Sequence, residues 1–266
     1  MPHTPFLPMI GYFALHVRLS IILNVGDGLK GPAASIFSFS LSFKQSFDTT
    51  VHMEPAAASK DLDTRKRLLL TAEELFADRG FHGVGVREIT SAAGVHLSAV
   101  NYHFGSKDDL YLGVFKELFI ARARQVRNHF LARLAKASPS ARSVIRAFAE
   151  AVLFGPMDDR ERSVHYRLLA REMTEPTEAF KLISRHAVQP LIELLTERLS
   201  SCFPRLSPEE LSFAAMSLFA QIIYFNFARA KVTAITGRQY DRHFKERLVN
   251  HIVEFSLKGL EGLNAR

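Results

Sequence analysis

Between Gly94 and Lys107 the chain reads GVHLSAVNYHFGSK, a run in which hydrogen-bonding side chains crowd together. An asparagine carboxamide holds a donor and an acceptor side by side and can pair with both N6 and N7 of adenine. Serine and tyrosine hydroxyls reach base edges or phosphate oxygens, and lysine or histidine can hold phosphate. Ser98, Asn101, Tyr102, His103 and Lys107 therefore form one candidate set, and its chemistry is recognition of nucleic acid. His96 and Leu97, at the entry to the segment, are grouped with it.

Such a set works only if a rigid element presents it. Val86 to Ala93 predicts a short helix with Val86, Ile89 and Ala93 on one face. Gly94 follows at a turn that needs positive φ. Leu97 to Phe104 predicts a further short helix, on which Val100 and Phe104 lie four apart and anchor it to a core. Ser98, Asn101 and Tyr102 then point elsewhere. Two short helices joined through a Gly-containing turn make a helix-turn-helix, whose second helix enters the major groove while the first crosses the backbone. Gly105 lets the chain turn, and Ser106 with Asp109 gives the capping-box pattern of a new helix. Upstream, Asp63 caps a helix with Leu68, Ala72, Leu75 and Phe76 as its apolar stripe, and Gly80 closes it. Arg65 and Lys66 face outward from that helix, as candidate phosphate contacts.

Taken together, the strings RKRLLLTAEELFADRGFHGVGVREITSAAGV and AVNYHFGSKDDLY resemble the N-terminal domain of the TetR family of bacterial transcriptional regulators. The resemblance implies an all-α chain: a three-helix DNA-binding domain, then a larger helical domain for ligand binding and dimerisation. It implies a homodimer formed mainly by the last two long helices, a palindromic operator and a small-molecule pocket in each body. Arg87 matches a backbone-contacting position of the family, His103 its frequent histidine and Lys107 its phosphate-contacting lysine. Three positions depart from the pattern. Gly85 and His96 stand where Ser or Thr usually caps, which suggests weaker capping, and Asn101 replaces a common Tyr, which leaves the base-reading pattern open. LLAREMTEPTEAF, residues 168–180, resembles the body of the CecR-like subgroup.

The remainder divides readily. Residues 60–107 form the DNA-binding domain and 108–266 the body, with helices expected over 108–135, 141–154, 160–173, a long one to about 201, 208–231 and 239–263. Leu211 to Ala228 carries no charge and is apolar nearly all round, so it should be buried on more than one side. Its length approaches that of a membrane span. The polar residues Ser212, Ser217, Gln221 and Asn226 within it favour a helix shared between dimer interface and pocket wall. His165, Tyr166, Arg171, Gln221, Tyr224 and Asn226 are the candidate polar groups of the ligand site, since such pockets are apolar with a few placed polar atoms.

Composition narrows the function classes. A net charge of +7 favours an acidic partner. The single cysteine, Cys202, excludes an intrachain disulfide framework and a cysteine-based zinc site, and suits a reducing cytoplasm. No nucleophile, Walker or metal signature occurs, so neither an enzyme nor a cofactor is expected. His251 and Glu254 alone do not make a metal site. Residues 1–52 read differently. Their apolar runs are interrupted by His16 and Arg18, which disfavours a transmembrane helix. FSFSLSF at 37–43 alternates with period two, as a half-buried strand or an aggregation-prone stretch would. The expectation is an upstream extension without a folded role, the functional chain starting at Met53.

Overall fold

The computed structural model describes residues 55–265, and every regular element among them is helical. The expectations for residues 1–52 lie outside the described residues. The first helix, α1 (Pro55–Arg79), begins before Asp63. Residues 55–62 have no apolar stripe to announce a helix. They hold three alanines in succession, the best helix former, and a proline that suits a first turn. Leu68, Ala72 and Phe76 of α1 are fully buried, against α2 (Val86–Ala92) and α3 (Ala99–Phe104).

The expected single helix over 108–135 is one continuous rod with a fault in it. It consists of α4 (Lys107–Gly113), a π-helical segment Val114–Phe119 and α5 (Ile120–Leu134). Val114, Phe115 and Phe119 of the π segment are all buried. A second π segment, Ser184–Val188, joins α8 (Glu178–Ile183) to α9 (Gln189–Ser200). Between these rods run α6 (Ala141–Leu153) and α7 (Asp159–Thr174). Ser140 caps α6, its Oγ accepting from Ser143 N–H at 3.1 Å, and Asp158 and Glu161 form a capping box on α7. α6 is the core strut: Ile145, Phe148 and Leu153 are wholly inaccessible, and it packs against α5, α9 and α12 (Arg242–Asn264).

α10 (Pro208–Phe227) starts at a capping box of Ser207 and Glu210. It stops at Ala228, short of the expected Lys231, and α11 (Arg229–Thr236) follows. By length and composition α10 could cross a membrane. One face, Leu211, Ala215, Leu218 and Ile222, is sealed in the body, at the four-and-three spacing of a core helix. In the single chain Phe213, Met216, Tyr224 and Phe227 are exposed.

Candidate nucleic-acid interface and effector cavity

α3 separates packing from recognition within six residues. Val100 is fully buried, and Phe104 is half-buried under the Arg65 guanidinium, 4.9 Å above its ring. Ser98 and Asn101 are exposed, and Tyr102 is 76 % exposed. Gly94 (φ 63°) makes the turn before the helix and Gly105 (φ 85°) closes it, both in the left-handed region that a side chain would strain. Ser106 then restarts the chain, its Oγ accepting from Asp109 N–H at 3.0 Å.

The substituted caps behave differently from one another. Gly85 has the extended backbone of an N-cap but offers no side-chain bond, as expected. The N-cap of α3 is Ser98 and it makes no side-chain cap bond, while just before it His96 Nδ1 accepts from Ser98 N–H at 3.3 Å and lies 2.8 Å from Ser98 Oγ. Leu97 is 44 % exposed beside it.

Three of the side chains expected at phosphate are held by protein groups. Arg65 donates from Nη1 and Nη2 to Glu117 at 2.6 and 2.5 Å, tying α1 to the rod. The His103 side chain is only 6 % exposed and its Nε2 lies 3.7 Å from Asp61. Lys107 Nζ sits 4.2 Å over the Phe81 ring, half-buried. Arg87 on α2 is exposed.

The six pocket candidates divide. His165 and Tyr166 meet in a cavity of about 30 Å³ with Phe119, Val152, Leu169 and Phe219. His165 stacks on Phe119, centroids 3.9 Å apart at 14°. Burial, with Arg122 and Arg162 nearby, pushes its pKa down to about 3, and its Nδ1 has no partner. Such a volume admits little more than about one water. The other four do not line this cavity. Gln221 faces a groove between α10 and α12. Tyr224 is 44 % exposed. Asn226 is buried, with Nδ2 donating to Ile222 O at 3.2 Å. Arg171 caps the end of α1, its Nε donating to Ala77 O at 2.8 Å and Nη2 to Asp78 O.

Arg171 belongs to a seam that the sequence reading missed. Along α7, Arg160 pairs with Glu74 at 2.6 Å and Arg167 with Asp78, while Arg122 of α5 reaches Glu73. Next to it, Glu172, wholly buried, accepts from Tyr111 Oη at 2.5 Å, and from the N–H and hydroxyl of Thr177, both at 2.9 Å. Burial and the Glu172 carboxylate push the Tyr111 phenol pKa far up. These bonds tie the rod that leaves α3 to the turn that starts α8. The available signal was the run of arginines along α7, Arg160, Arg162, Arg167 and Arg171, which does not name partners on α1.

A projecting α3, set by a glycine turn on a buried scaffold and continuous with a helical body that holds a cavity, defines a helix-turn-helix DNA-binding regulator. Residues 68–114 match the model of the bacterial regulatory proteins of the tetR family, and residues 141–260 match the C-terminal domain of the HTH-type transcriptional dual regulator CecR. The CecR protein of Shigella flexneri is 25 % identical over 222 residues, 80 % of this chain and 98 % of that one. Among solved structures, NalD, the secondary repressor of the MexAB-OprM multidrug efflux pump in Pseudomonas aeruginosa, aligns with TM-score 0.54 and 25 % identity, over 75 % of this chain and 97 % of that one. AibR, solved with isovaleryl coenzyme A and operator DNA, shares the fold at TM-score 0.54 and 17 % identity, over 72 % and 97 % of the two chains. The chain thus combines an N-terminal segment of the tetR-family regulator type with a CecR-type C-terminal domain.

Proposed function

We propose that this regulator acts in the cytoplasm as a homodimeric repressor that a small molecule releases from a palindromic operator. The observation that carries the reading is α3, with Val100 fully buried and Ser98, Asn101 and Tyr102 turned to solvent. In this reading Asn101 reads a base edge, Ser98 and Tyr102 reach bases or phosphates, and Arg87 holds a phosphate from α2. His96 and Leu97 flank the groove. Arg65 and Lys107 contribute positive potential and, with His103, position α3; the three contact phosphate only after leaving their present partners.

The effector enters the cavity of His165 and Tyr166, as in the general case of an apolar pocket with few polar atoms. Phe119 ends one π segment, and Ala187 and Val188 of the other also line the space. Opening the cavity therefore acts directly on the rod that carries α3. A ligand that prefers the opened body draws the population away from the DNA-competent spacing. AibR, solved with both a ligand and operator DNA, supports this pairing of partners.

The test is selection of bound sequences from a random DNA pool, followed by binding at graded salt. The expected product is a palindrome with half-sites about one turn, ~34 Å, apart. Affinity should fall steeply with salt, and Arg87→Ala should reduce the slope of log K against log salt by about 1. Recovery of no shared sequence, or binding indifferent to salt, overturns the reading.

A further inference from the structure

Beside the cavity lies a cluster of positive charge that exceeds its acidic partners. Arg162 precedes His165 and Tyr166 by one turn of α7, so the three share a face. Its side chain is 3 % exposed. Nη1 donates to Leu153 O at 2.7 Å, and Nη2 to Gly155 O at 3.2 Å and to Met157 O, but Nε has no partner. Arg229, which opens α11, lies over the Tyr240 ring at 5.0 Å and sends Nη1 to Asp159 O at 3.3 Å. Its Nε and Nη2 are buried without partners, and so is the Tyr240 hydroxyl. Lys245 Nζ lies 5.8 Å from the same ring and takes Asp159 Oδ1 at 2.7 Å.

Three cations thus face Asp159, at 2.7, 3.7 and 3.8 Å, and the cluster keeps a surplus of positive charge. Buried charge without a counter-charge is costly, and buried donors normally find acceptors. The free atoms are not scattered. Nε and Nη2 form one edge of the Arg229 guanidinium, the fork that grips a carboxylate through two parallel bonds. The Tyr240 hydroxyl and Arg162 Nε are further idle donors in the same cluster. Tyr166 joins the cluster to the cavity: its ring lines the space, and its phenol feels the charges of Arg162 and Arg229. The Arg229 side chain is 19 % exposed, so the cluster also reaches the surface.

We infer that Arg229, Tyr240 and Arg162 form a built oxyanion site for the carboxylate head of an amphipathic effector whose apolar body fills the cavity of Phe119, His165 and Tyr166. This inference rests on the cavity being the effector site and adds the charge class of the ligand. The cavity lining holds no ionised group, so the head is bound by the cluster and the tail by the cavity.

Calorimetry and thermal melting of the full chain test it, with octanoate, dodecanoate and 2-naphthoate, each against its alcohol, and with inorganic phosphate alone. At least one carboxylate should bind and raise the melting temperature where its alcohol does so weakly. Arg229→Gln should weaken that carboxylate roughly tenfold or more, as expected for hydrogen bonds to a charged group. Tyr240→Phe should weaken it several-fold yet melt with the wild type, because the hydroxyl has no bond to lose. Equal binding of acids and alcohols, carboxylate affinity unchanged in both variants, or the same stabilisation by phosphate alone overturns the proposal. Operator binding measured on the same samples keeps the outcomes apart. Loss of the operator result sinks the regulatory reading and leaves the affinities standing, and the reverse holds equally.

Discussion

Asn101 is free to meet a base because Val100 and Phe104 between them hold α3 down. Asn101→Ala should therefore leave the fold alone, reduce operator affinity by about 1–3 kcal/mol and leave binding to unrelated DNA nearly unchanged; competition band shifts distinguish these. His165 obeys the opposite logic, being buried beyond the reach of solvent. Its pKa falls from 6.5 to about 3 on folding, so the unfolded chain binds its proton more readily. The stability this neutral imidazole confers is complete above pH 6.5 and is lost progressively as the pH falls towards 3. Between pH 7 and pH 5 the wild type should lose about 2 kcal/mol more than His165→Phe, which keeps a ring against Phe119 and removes the titration. Parallel denaturation curves at the two pH values would refute the buried imidazole. The exposed polar residues of α3 were legible because a short helix with two anchoring positions leaves its other side chains outside. The partners of Arg65, His103 and Arg171 were not legible, since Glu117, Asp61 and the carbonyls of α1 are neighbours only after the chain has folded.

The same divide appears between elements. Most helices were legible from capping residues and apolar spacing, and α6, α7 and α12 lie within a few residues of their expected limits. The two π segments were not, because one extra residue in a turn leaves the local apolar pattern nearly intact and is selected by what the turn packs against. Both segments line the cavity, where the rod from α3 and the α8–α9 rod meet. Rigid coupling between these rods depends on Glu172, which receives Tyr111 from one and Thr177 from the other. Tyr111→Phe removes one donor from a buried carboxylate and should destabilise the chain by about 1.5–3 kcal/mol in urea denaturation. Glu172 would retain both bonds from Thr177, so the fold should survive while α4 moves more freely. Hydrogen exchange along α4 should quicken accordingly. Unchanged stability and unchanged exchange would show that the joint transmits nothing.

At the scale of the whole molecule, the apolar face left open by α10 and α12 requires an explanation that one chain does not supply. Phe213 is 55 % and Phe255 62 % exposed, and both flank the groove that also holds Leu218, Gln221, Leu260 and Leu263. A contiguous apolar patch of this kind marks an association surface. In the proposed homodimer a second copy would cover it isologously, with α10 and α12 of each protomer against the same helices of the other. The apolar composition of α10, which had suggested burial on several sides, is then divided between the body's core and the dimer. Phe213→Glu with Phe255→Glu places charges on both sides of the groove, where burial without a partner would be costly. The double variant should sediment as a folded monomer with wild-type helicity. It should bind a single half-site weakly and lose the palindrome, since two copies of α3 no longer share one rigid frame. A double variant that stays dimeric would place the interface elsewhere on the body. A monomer that still binds the full palindrome as tightly as the wild type would separate operator recognition from dimerisation altogether.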